Sequence, residues 1–212
     1  MAERRKFRRE GEERRRQDLI EATLDCVADH GIEGATLRAI AVRAGVTAGL
    51  IRHYFPAKED LLQAAYAAIV ERMTAQALAS LHETGKRPAE RLAAFVAANL
   101  TAPIVDARVF SLWAGFIGRA HADPALSAVH REGYVGFRDR LEQLIAETFA
   151  AAGRTADPVQ LRRHAIAVNA IIDGLWIEGC MAGNLFEAGE LAAIGVASVE
   201  RVLGIDIEGG NA

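Results

Sequence analysis

One short segment, residues 36–55, limits the fold of this chain more than any other, because it contains two helical patterns joined by a single tight turn. Thr36 is a good helix N-cap, and the apolar residues after it recur at helical spacing. Gly45 follows, and a residue without Cβ suits a helix that ends in a left-handed conformation. Thr47 then caps a second short helix, which is predicted to end before Pro56.

The two faces of this second helix differ in composition. Its inward face is predicted to bury Leu50, Ile51 and Phe55. The opposite face carries small or polar residues that have no reason to cluster there for stability: Thr47, Ala48, Gly49, Arg52 and His53. Two helices held at a fixed angle by a glycine turn form a helix-turn-helix, whose second helix enters the DNA major groove. The segment therefore predicts DNA binding.

The sequence TLRAIAVRAGVTAGLIRHYFPAKEDLL, residues 36–62, resembles the DNA-binding segment of TetR-type transcriptional regulators. It fills nearly every position of the pattern T-x-x-x-I-A-x-x-A-G-V-[ST]-x-G-x-[LI]-x-x-[YH]-F-x-x-K-x-x-L. The match is specific because it fixes the turn, the recognition helix and the following lysine in one register. The resemblance implies a sequence-specific regulator of transcription.

Positions in this motif imply roles in DNA binding. Phosphate contacts are expected from Thr36, Thr47, Tyr54 and Lys58. Base-edge contacts are expected from Arg52 and His53, with Ala48 and Arg38 as further candidates. Gly49 costs an exposed helix about 1 kcal/mol relative to alanine, and close approach to DNA is the expected compensation. The alternatives are that Tyr54 is a core aromatic, and that Arg38 and Arg43 are ordinary solvated charges.

Composition sets further limits. The chain has 212 residues, 51% of them hydrophobic, which suffices for a core without disulfides. Cys26 and Cys180 are interpreted as buried apolar residues in a reducing cytoplasm rather than as a redox switch. No apolar run reaches the ~20 residues that a membrane span requires, and no export signal precedes the helices. These features predict a soluble, cytoplasmic protein.

The net charge of −3 does not indicate a nucleic-acid binder, but the charge is unevenly distributed. The first sixteen residues hold eight Lys or Arg against four Glu. A basic end suits docking on phosphates, and the alternative is a solvated, frayed terminus.

Glycine and proline breaks divide the rest of the chain into helical segments without strand-like alternation, so the sequence predicts an all-α fold of nine helices. The predicted parts are a disordered basic arm (1–12), a three-helix helix-turn-helix head (13–57), a connecting helix (58–84), a ligand-binding and dimerisation body (85–205) and a tail (206–212). Helix starts are predicted near Glu13, Lys58, Pro88, Asp106, Pro124, Pro158 and Glu187.

The segments FSLWAGFIGRAHADPAL (110–126) and IDGLWIEG (172–179) resemble the ligand-binding domain of BetI-like members of the TetR family, which are associated with choline and glycine-betaine metabolism. The resemblance implies that the last two helices contribute to a dimeric four-helix bundle. One position departs from the subgroup pattern W-x-x-F-W, because Ile117 stands where the second tryptophan is expected. An aromatic cage for a quaternary ammonium would be weaker without that indole, which disfavours choline as the effector.

Polar residues interrupt the apolar pattern of the body. Asn169, Asp173 and Trp176 lie at i, i+4 and i+7 and so share a helix face. The candidate effector cavity is lined by these three and by further aromatics: Phe110, Trp113, Phe116 and Tyr134. The alternative is that the polar pair makes hydrogen bonds within a dimer interface and that the aromatics are core.

Enzymatic motifs are missing from the sequence. Its six histidines show no metal-ligand spacing, and neither a Ser-His-Asp arrangement nor a glycine-rich phosphate loop occurs. The sequence therefore predicts a non-enzyme without metal or cofactor. We interpret it as a homodimeric repressor of transcription that binds a near-palindromic double-stranded operator, responds to a small-molecule effector and has no membrane partner. The alternative is a small-molecule binding or sequestering protein without operator recognition.

Overall fold

The computed structural model describes residues 2–80 and 86–207, and the side chains of residues 11–75, 77–79 and 86–207. These residues form nine α-helices and one short 3-10 helix without a strand, which confirms the predicted all-α fold. The α-helices are α1 (Ala2–Gly34), α2 (Leu37–Ala44), α3 (Ala48–Tyr54), α4 (Lys58–Ser80), α5 (Pro88–Asn99), α6 (Ala107–Ala120), α7 (Pro124–Ala151), α8 (Pro158–Ala182) and α9 (Glu190–Leu203).

Local capping explains most of the helix starts. The Asp157 carboxylate accepts a hydrogen bond from the Gln160 backbone N–H at 2.8 Å, and the Gln160 side chain accepts one from the Asp157 N–H at 3.2 Å. This reciprocal pair fixes the start of α8 at Pro158, as predicted. The last helix starts at Glu190 rather than Glu187, because a 3-10 turn occupies residues 183–185 and Gly189 adopts a φ of 82°.

The two ends of the chain depart from the prediction. Helix α1 extends from Ala2 to Gly34, with non-helical backbone at Gly31, whereas the sequence predicted a disordered arm over residues 1–12. Arg, Lys and Glu are good helix formers, and lengthening an existing helix needs no new nucleus. Ile207, in the predicted tail, is fully buried, and its N–H donates to the Glu200 carboxylate at 2.9 Å. The predicted end of the connecting helix and the Gly-Gly-Asn-Ala terminus lie outside the described residues.

The chain divides into two compact units. The first consists of residues 1–70 and 111–130, and the second of residues 71–110 and 131–212. Helices α1 to α3 lie in the first unit, where Leu24, Ile40 and Ile51 are buried. Residues 111–130, which the sequence assigned to the body, therefore belong to the unit that contains the helix-turn-helix.

The second unit is built on close helix packing among α5, α8 and α9. A Cβ placed on Gly195 of α9 would lie 2.3 Å from Leu100 Cδ1 and 3.2 Å from Val96 Cγ1. The rings of Phe95 and Phe137 pack with their centroids 5.0 Å apart. Glycine at position 195 therefore allows α9 to approach its neighbours to a distance that a side chain would prevent.

One described segment, residues 158–185, is long and apolar enough to cross a membrane by length and composition, with a mean hydropathy of 1.4 in its most apolar window. The expectation that no segment reaches this length is therefore wrong by that measure. The segment also buries Val168, Asn169 and Trp176 on one side and carries Asp173 in its middle. That pattern is typical of an amphipathic core helix.

Candidate nucleic-acid interface and effector region

Helices α2 and α3 are held by the caps and the turn that the sequence predicted. Thr36 Oγ1 accepts a hydrogen bond from the Ala39 N–H at 3.2 Å, which satisfies the first turn of α2. Gly45 ends α2 in the left-handed region with a φ of 64°. Thr47 Oγ1 accepts a bond from the Leu50 N–H, also at 3.2 Å, and starts α3. The predicted helix-turn-helix is therefore present.

Helix α3 presents two faces of different composition. Ile51 and Phe55 are buried, whereas Leu50 is only half-buried, so its predicted inward position is partly correct. The guanidinium of Arg16 lies 4.7 Å from the centre of the Phe55 ring and packs α1 against the end of α3. The predicted DNA-facing residues remain accessible: Thr47, Gly49, Arg52 and His53 are exposed, and Ala48 is half-buried.

The predicted phosphate ligands keep donors available for an anion. The hydroxyl oxygens of Thr36 and Thr47 accept bonds from their own helices, which leaves each O–H proton free to donate outward. Tyr54 is half-buried, and its ring meets the ring of His53 edge-on at 5.2 Å. Lys58 Nζ lies 3.4 Å from the Ile32 carbonyl oxygen, and an ammonium has two further protons for a phosphate.

The two arginines of α2 have different surroundings. Arg38 is exposed and, with Thr36, lines an open groove of about 570 Å³ between α1 and α2. Arg43 instead forms ion pairs with Asp29 and, at 3.7 Å, with Asp25, both on α1. Arg43 is therefore an exposed charge that is paired with α1. The missed signal is the i, i+4 spacing of the two aspartates, which places both carboxylates on one face of α1.

The two cysteines are buried, as predicted. Burial raises the pKa of the Cys26 thiol, although the neighbouring Arg43 acts in the opposite direction. Burial likewise raises the pKa of Cys180. A thiol with a raised pKa is a poor nucleophile, which fits a packing role for both residues.

The seven predicted effector residues do not all lie in one compact unit. Trp113 and Phe116 belong to the first unit. The other five belong to the second: Phe110, Tyr134, Asn169, Asp173 and Trp176. Phe116 is fully buried, and its ring stacks on that of Tyr66 with a centroid distance of 4.9 Å. This burial fits the alternative interpretation of Phe116 as a core aromatic.

A hydrogen-bonded group joins α7 and α8 in the second unit. The Asn169 side-chain amide is buried and donates to an Asp173 carboxylate oxygen at 2.7 Å and to the Tyr134 hydroxyl oxygen at 3.2 Å. Partial burial of the carboxylate raises the pKa of Asp173 to about 6, although the Asn169 bond opposes this shift and the residue retains exposed surface. The Arg138 guanidinium lies 5.9 Å from the centre of the Tyr134 ring.

The remaining predicted aromatics of the second unit form a packed pair. Trp176 is buried, and its Nε1–H donates to the Ile104 carbonyl oxygen at 2.9 Å. The Phe110 ring lies 5.6 Å from the Trp176 ring, measured between centroids. Because the indole donor is already satisfied within the chain, Trp176 is suited to shape a cavity wall rather than to donate to a ligand.

Comparison with known proteins identifies the family. Residues 19–65 match the family model of the tetR family of bacterial regulatory proteins. Residues 88–204 match the model of the C-terminal domain of BetI-type transcriptional repressors. The HTH-type transcriptional regulator BetI of Burkholderia thailandensis is 34% identical over 173 residues, which cover 82% of this chain and 85% of that protein. The protein of the same name from Burkholderia lata is 35% identical, covering 80% and 84%.

Solved structures show the same fold. A transcriptional regulator from Pseudomonas aeruginosa PAO1 aligns with a TM-score of 0.83 and 29% identity, covering 92% of this chain and 93% of that one. A regulator from Saccharomonospora viridis, solved in complex with choline, aligns with a TM-score of 0.72 and 21% identity over 87% and 95% of the two chains. Together with the helix-turn-helix geometry, the family matches show that this chain is a DNA-binding transcriptional regulator rather than an enzyme, and that it belongs to the BetI-type branch of the TetR family.

Proposed function

We propose that this regulator is a cytoplasmic repressor that binds a near-palindromic operator as a homodimer and leaves it when a small molecule binds its second compact unit. The observation that carries the proposal is the exposed face of α3, formed by Thr47, Gly49, Arg52 and His53 on a helix held by its own caps. A two-fold dimer presents two such helices, and their spacing should be ~34–36 Å or a multiple of it.

Gly49 supports the close approach of α3 to DNA. A Cβ at this position would have only Thr47 Oγ1 within 4 Å, at 3.8 Å, so the chain itself leaves room for alanine. Internal packing therefore does not account for a glycine that weakens an exposed helix. A base or a phosphate of the DNA that approaches the backbone at Gly49 would account for the absence of a side chain there.

Exposed apolar side chains support dimerisation through α8 and α9. Ile166 and Met181 of α8 are 42% and 71% exposed, and Ile194 and Val202 of α9 are 39% and 40% exposed. Regulators of this family act as dimers, and a second copy would cover these side chains by completing a four-helix bundle. The same packing accounts for the apolar character of residues 158–185 without a membrane.

The effector site that we propose lies around Tyr134, Asn169 and Asp173. A carboxylate beside an aromatic ring suits a cationic amine, and Arg138 adds a partner for an anionic group. The choline complex of the Saccharomonospora viridis regulator makes amines the first class to test. Ile117, in place of a second tryptophan, favours amines other than choline.

Release from the operator requires that the effector bind two conformations unequally. We propose that the effector shifts α4, which begins at Lys58 directly after the recognition helix, and so changes the separation of the two recognition helices in the dimer. Trp113 and Phe116 remain sequence predictions for this site, because they belong to the other compact unit.

Gel-shift titration on DNA from upstream of its own gene tests operator recognition. Arg52→Ala should relax base preference, costing about 1–3 kcal/mol on the preferred sequence, whereas Lys58→Ala should weaken binding to all sequences alike and reduce its salt dependence. Retention of wild-type affinity and selectivity by both variants would contradict the proposed recognition surface.

Thermal-shift measurements with choline, betaine aldehyde and unrelated amines test the effector site. A ligand that binds only the folded dimer raises Tm by an amount set by its concentration relative to Kd. Asp173→Asn should abolish the shift produced by any cationic ligand. A ligand that stabilises this variant as much as the wild type binds elsewhere.

A further inference from the structure

The compact unit that contains the helix-turn-helix also contains a piece of the segment that matches the C-terminal domain of BetI-type repressors. Residues 111–130 comprise most of α6, the turn after it and the first residues of α7, and they belong to the same unit as α1 to α3. We call residues 111–130 the α6–α7 corner. Leu112, Phe116 and Ala120 are buried and lie at i, i+4 and i+8, so they form one inward face of α6.

Two contacts join the α6–α7 corner to α1. Val27 Cγ1 lies next to Gly115, at 4.0 Å from the position that a Cβ there would take. The Arg119 guanidinium forms an ion pair with Glu33 near the end of α1, at 2.5 Å. This ion pair lies on the surface, where such pairs stabilise little.

The contact with α4 is buried and directional. Tyr66 of α4 is fully buried, its ring stacks on Phe116, and its hydroxyl oxygen lies 2.9 Å from Nδ1 of His130 on α7. Tyr66 therefore touches both helices of the corner, one through its ring and one through its hydroxyl. A ring stack tolerates sliding, whereas a hydrogen bond weakens steeply when its geometry changes.

The charge states of this pair suit a hydrogen bond. Burial raises the pKa of Tyr66 to about 12 and lowers the pKa of His130. Both side chains are therefore neutral near pH 7, and one proton joins the hydroxyl oxygen and Nδ1. If α7 moved away from α4, the buried hydroxyl would lose its partner, which is costly in a dry environment.

We propose that the hydrogen bond between Tyr66 and His130 is the positioning contact that couples the α6–α7 corner to the DNA-binding head. Operator binding changes the corner through Tyr66, and by thermodynamic reciprocity a movement of the corner changes operator affinity. Tyr66 lies on α4 two turns after Lys58. A displacement of the Tyr66 hydroxyl can therefore be transmitted along this one helix to Lys58, just after the recognition helix. This inference rests on the proposed effector-dependent release and names the contact that transmits it.

Three substitutions separate the hydrogen bond from packing. Tyr66→Phe keeps the ring and its stack on Phe116 but removes the hydroxyl. His130→Leu removes the partner atom, whereas His130→Asn places a polar amide atom near the position of Nδ1 and should restore the bond. Hydrogen–deuterium exchange of the full-length dimer, with and without DNA from upstream of its gene, reports on peptides of the head and of residues 111–130 separately.

Without DNA, we expect the corner amides of Tyr66→Phe and His130→Leu to exchange about two- to tenfold faster than in the wild type, while amides of α2 and α3 are unchanged. His130→Asn should exchange at the wild-type rate. With DNA, wild-type exchange should fall both in residues 36–58 and in the corner, and in Tyr66→Phe it should fall only in residues 36–58.

Two results would overturn the proposal: corner amides of Tyr66→Phe that exchange at the wild-type rate without DNA, or DNA that protects residues 36–58 of the wild type and leaves its corner unchanged. A merely structural role would be shown by His130→Asn behaving like His130→Leu. Failure of operator recognition would give a different result from failure of this proposal, since residues 36–58 would then gain no protection from any upstream DNA. The comparison without DNA would still decide whether the hydrogen bond holds the corner.

Discussion

Helix α3 contains a glycine in its first turn and helix α9 contains one near its middle, and the surroundings of the two residues are opposite. A Cβ on Gly49 of α3 would meet only Thr47 Oγ1 at 3.8 Å, whereas a Cβ on Gly195 of α9 would lie 2.3 Å from Leu100 Cδ1. One glycine faces open space and the other faces a packed core. Glycine lowers intrinsic helix stability by up to about 1 kcal/mol relative to alanine, so each residue calls for a compensating interaction.

The difference shows where each region finds that interaction. For α9 it lies inside the chain, in the close packing against α5 and Leu175 of α8. For α3 it lies outside the chain, on the operator that we propose the helix approaches. The body is therefore stabilised by its own core, whereas we propose that the α3 surface is shaped for a partner outside the chain.

Gly195→Ala should have the largest effect on stability. The added methyl must displace Leu100 and Val96, which are both buried, and such overpacking typically costs about 1–3 kcal/mol. Calorimetry should show a Tm lowered by about 2–4 °C for each kcal/mol lost. Gly118→Ala is the matched control, since nothing lies within 4 Å of a Cβ at that helical glycine. A Tm at or above the wild-type value for Gly195→Ala would show that α9 does not need the close approach.

Gly49→Ala should separate stability from binding. The substitution should raise the free energy of unfolding by up to about 1 kcal/mol, because alanine is the better helix former and the site is open. The same variant should weaken operator binding in a gel shift, because the methyl group occupies the space nearest the DNA. Gly136→Ala in α7, where nothing lies within 4 Å of a Cβ, should give the stability gain without the binding loss. Unchanged operator affinity in Gly49→Ala would remove the main argument for close approach at this residue.

Arg43→Met should lower Tm slightly by removing the ion pairs that tie α2 to Asp25 and Asp29 of α1. The loss should shrink in concentrated salt, which screens exposed pairs. Arg38→Met, which alters the other arginine of α2, should leave Tm unchanged and reduce DNA binding. If Arg43→Met weakens DNA binding more than Arg38→Met at equal folded fraction, Arg43 contacts DNA directly.

The Asp173 carboxyl should give the smallest effect, visible in the pH dependence of Tm. Its pKa in the folded protein, about 6, lies above the ordinary value of 3.8, so the folded state holds this proton more tightly than the unfolded state. The favourable contribution of this carboxyl to the free energy of unfolding is full below pH 3.8 and is lost as the pH rises through about 6. Asp173→Asn should flatten the Tm curve between pH 4 and 7, because the titrating carboxyl is replaced by an amide. A slope identical to the wild type in Asp173→Asn would show that other groups cause it.

Local sequence was enough to predict much of the fold. Thr36, Thr47 and Asp157 set their helix starts by accepting bonds from backbone N–H groups only three residues along the chain. The exposed face of α3 was likewise predictable. Ile51 and Phe55 are apolar and were expected to pack inward, which leaves the small and polar residues of this short helix exposed. Composition alone did not decide the basic N-terminal stretch, because residues that suit a solvated arm also suit continuation of a helix, which is the form that α1 takes.

Tertiary structure alone decided the contacts between distant residues. Tyr66 and His130 are 64 positions apart, and the ion pair of Arg119 with Glu33 spans 86 positions. The predicted effector aromatics share a helical spacing, yet Phe116 packs on Tyr66 while Phe110 packs on Trp176 in the other compact unit. Helical periodicity indicates which side of a helix is buried but not which helix covers it. The sequence by itself therefore determined most helix starts and the exposed polar face of α3, because caps and helical periodicity are local, and only the packing of the helices decided which side chains meet.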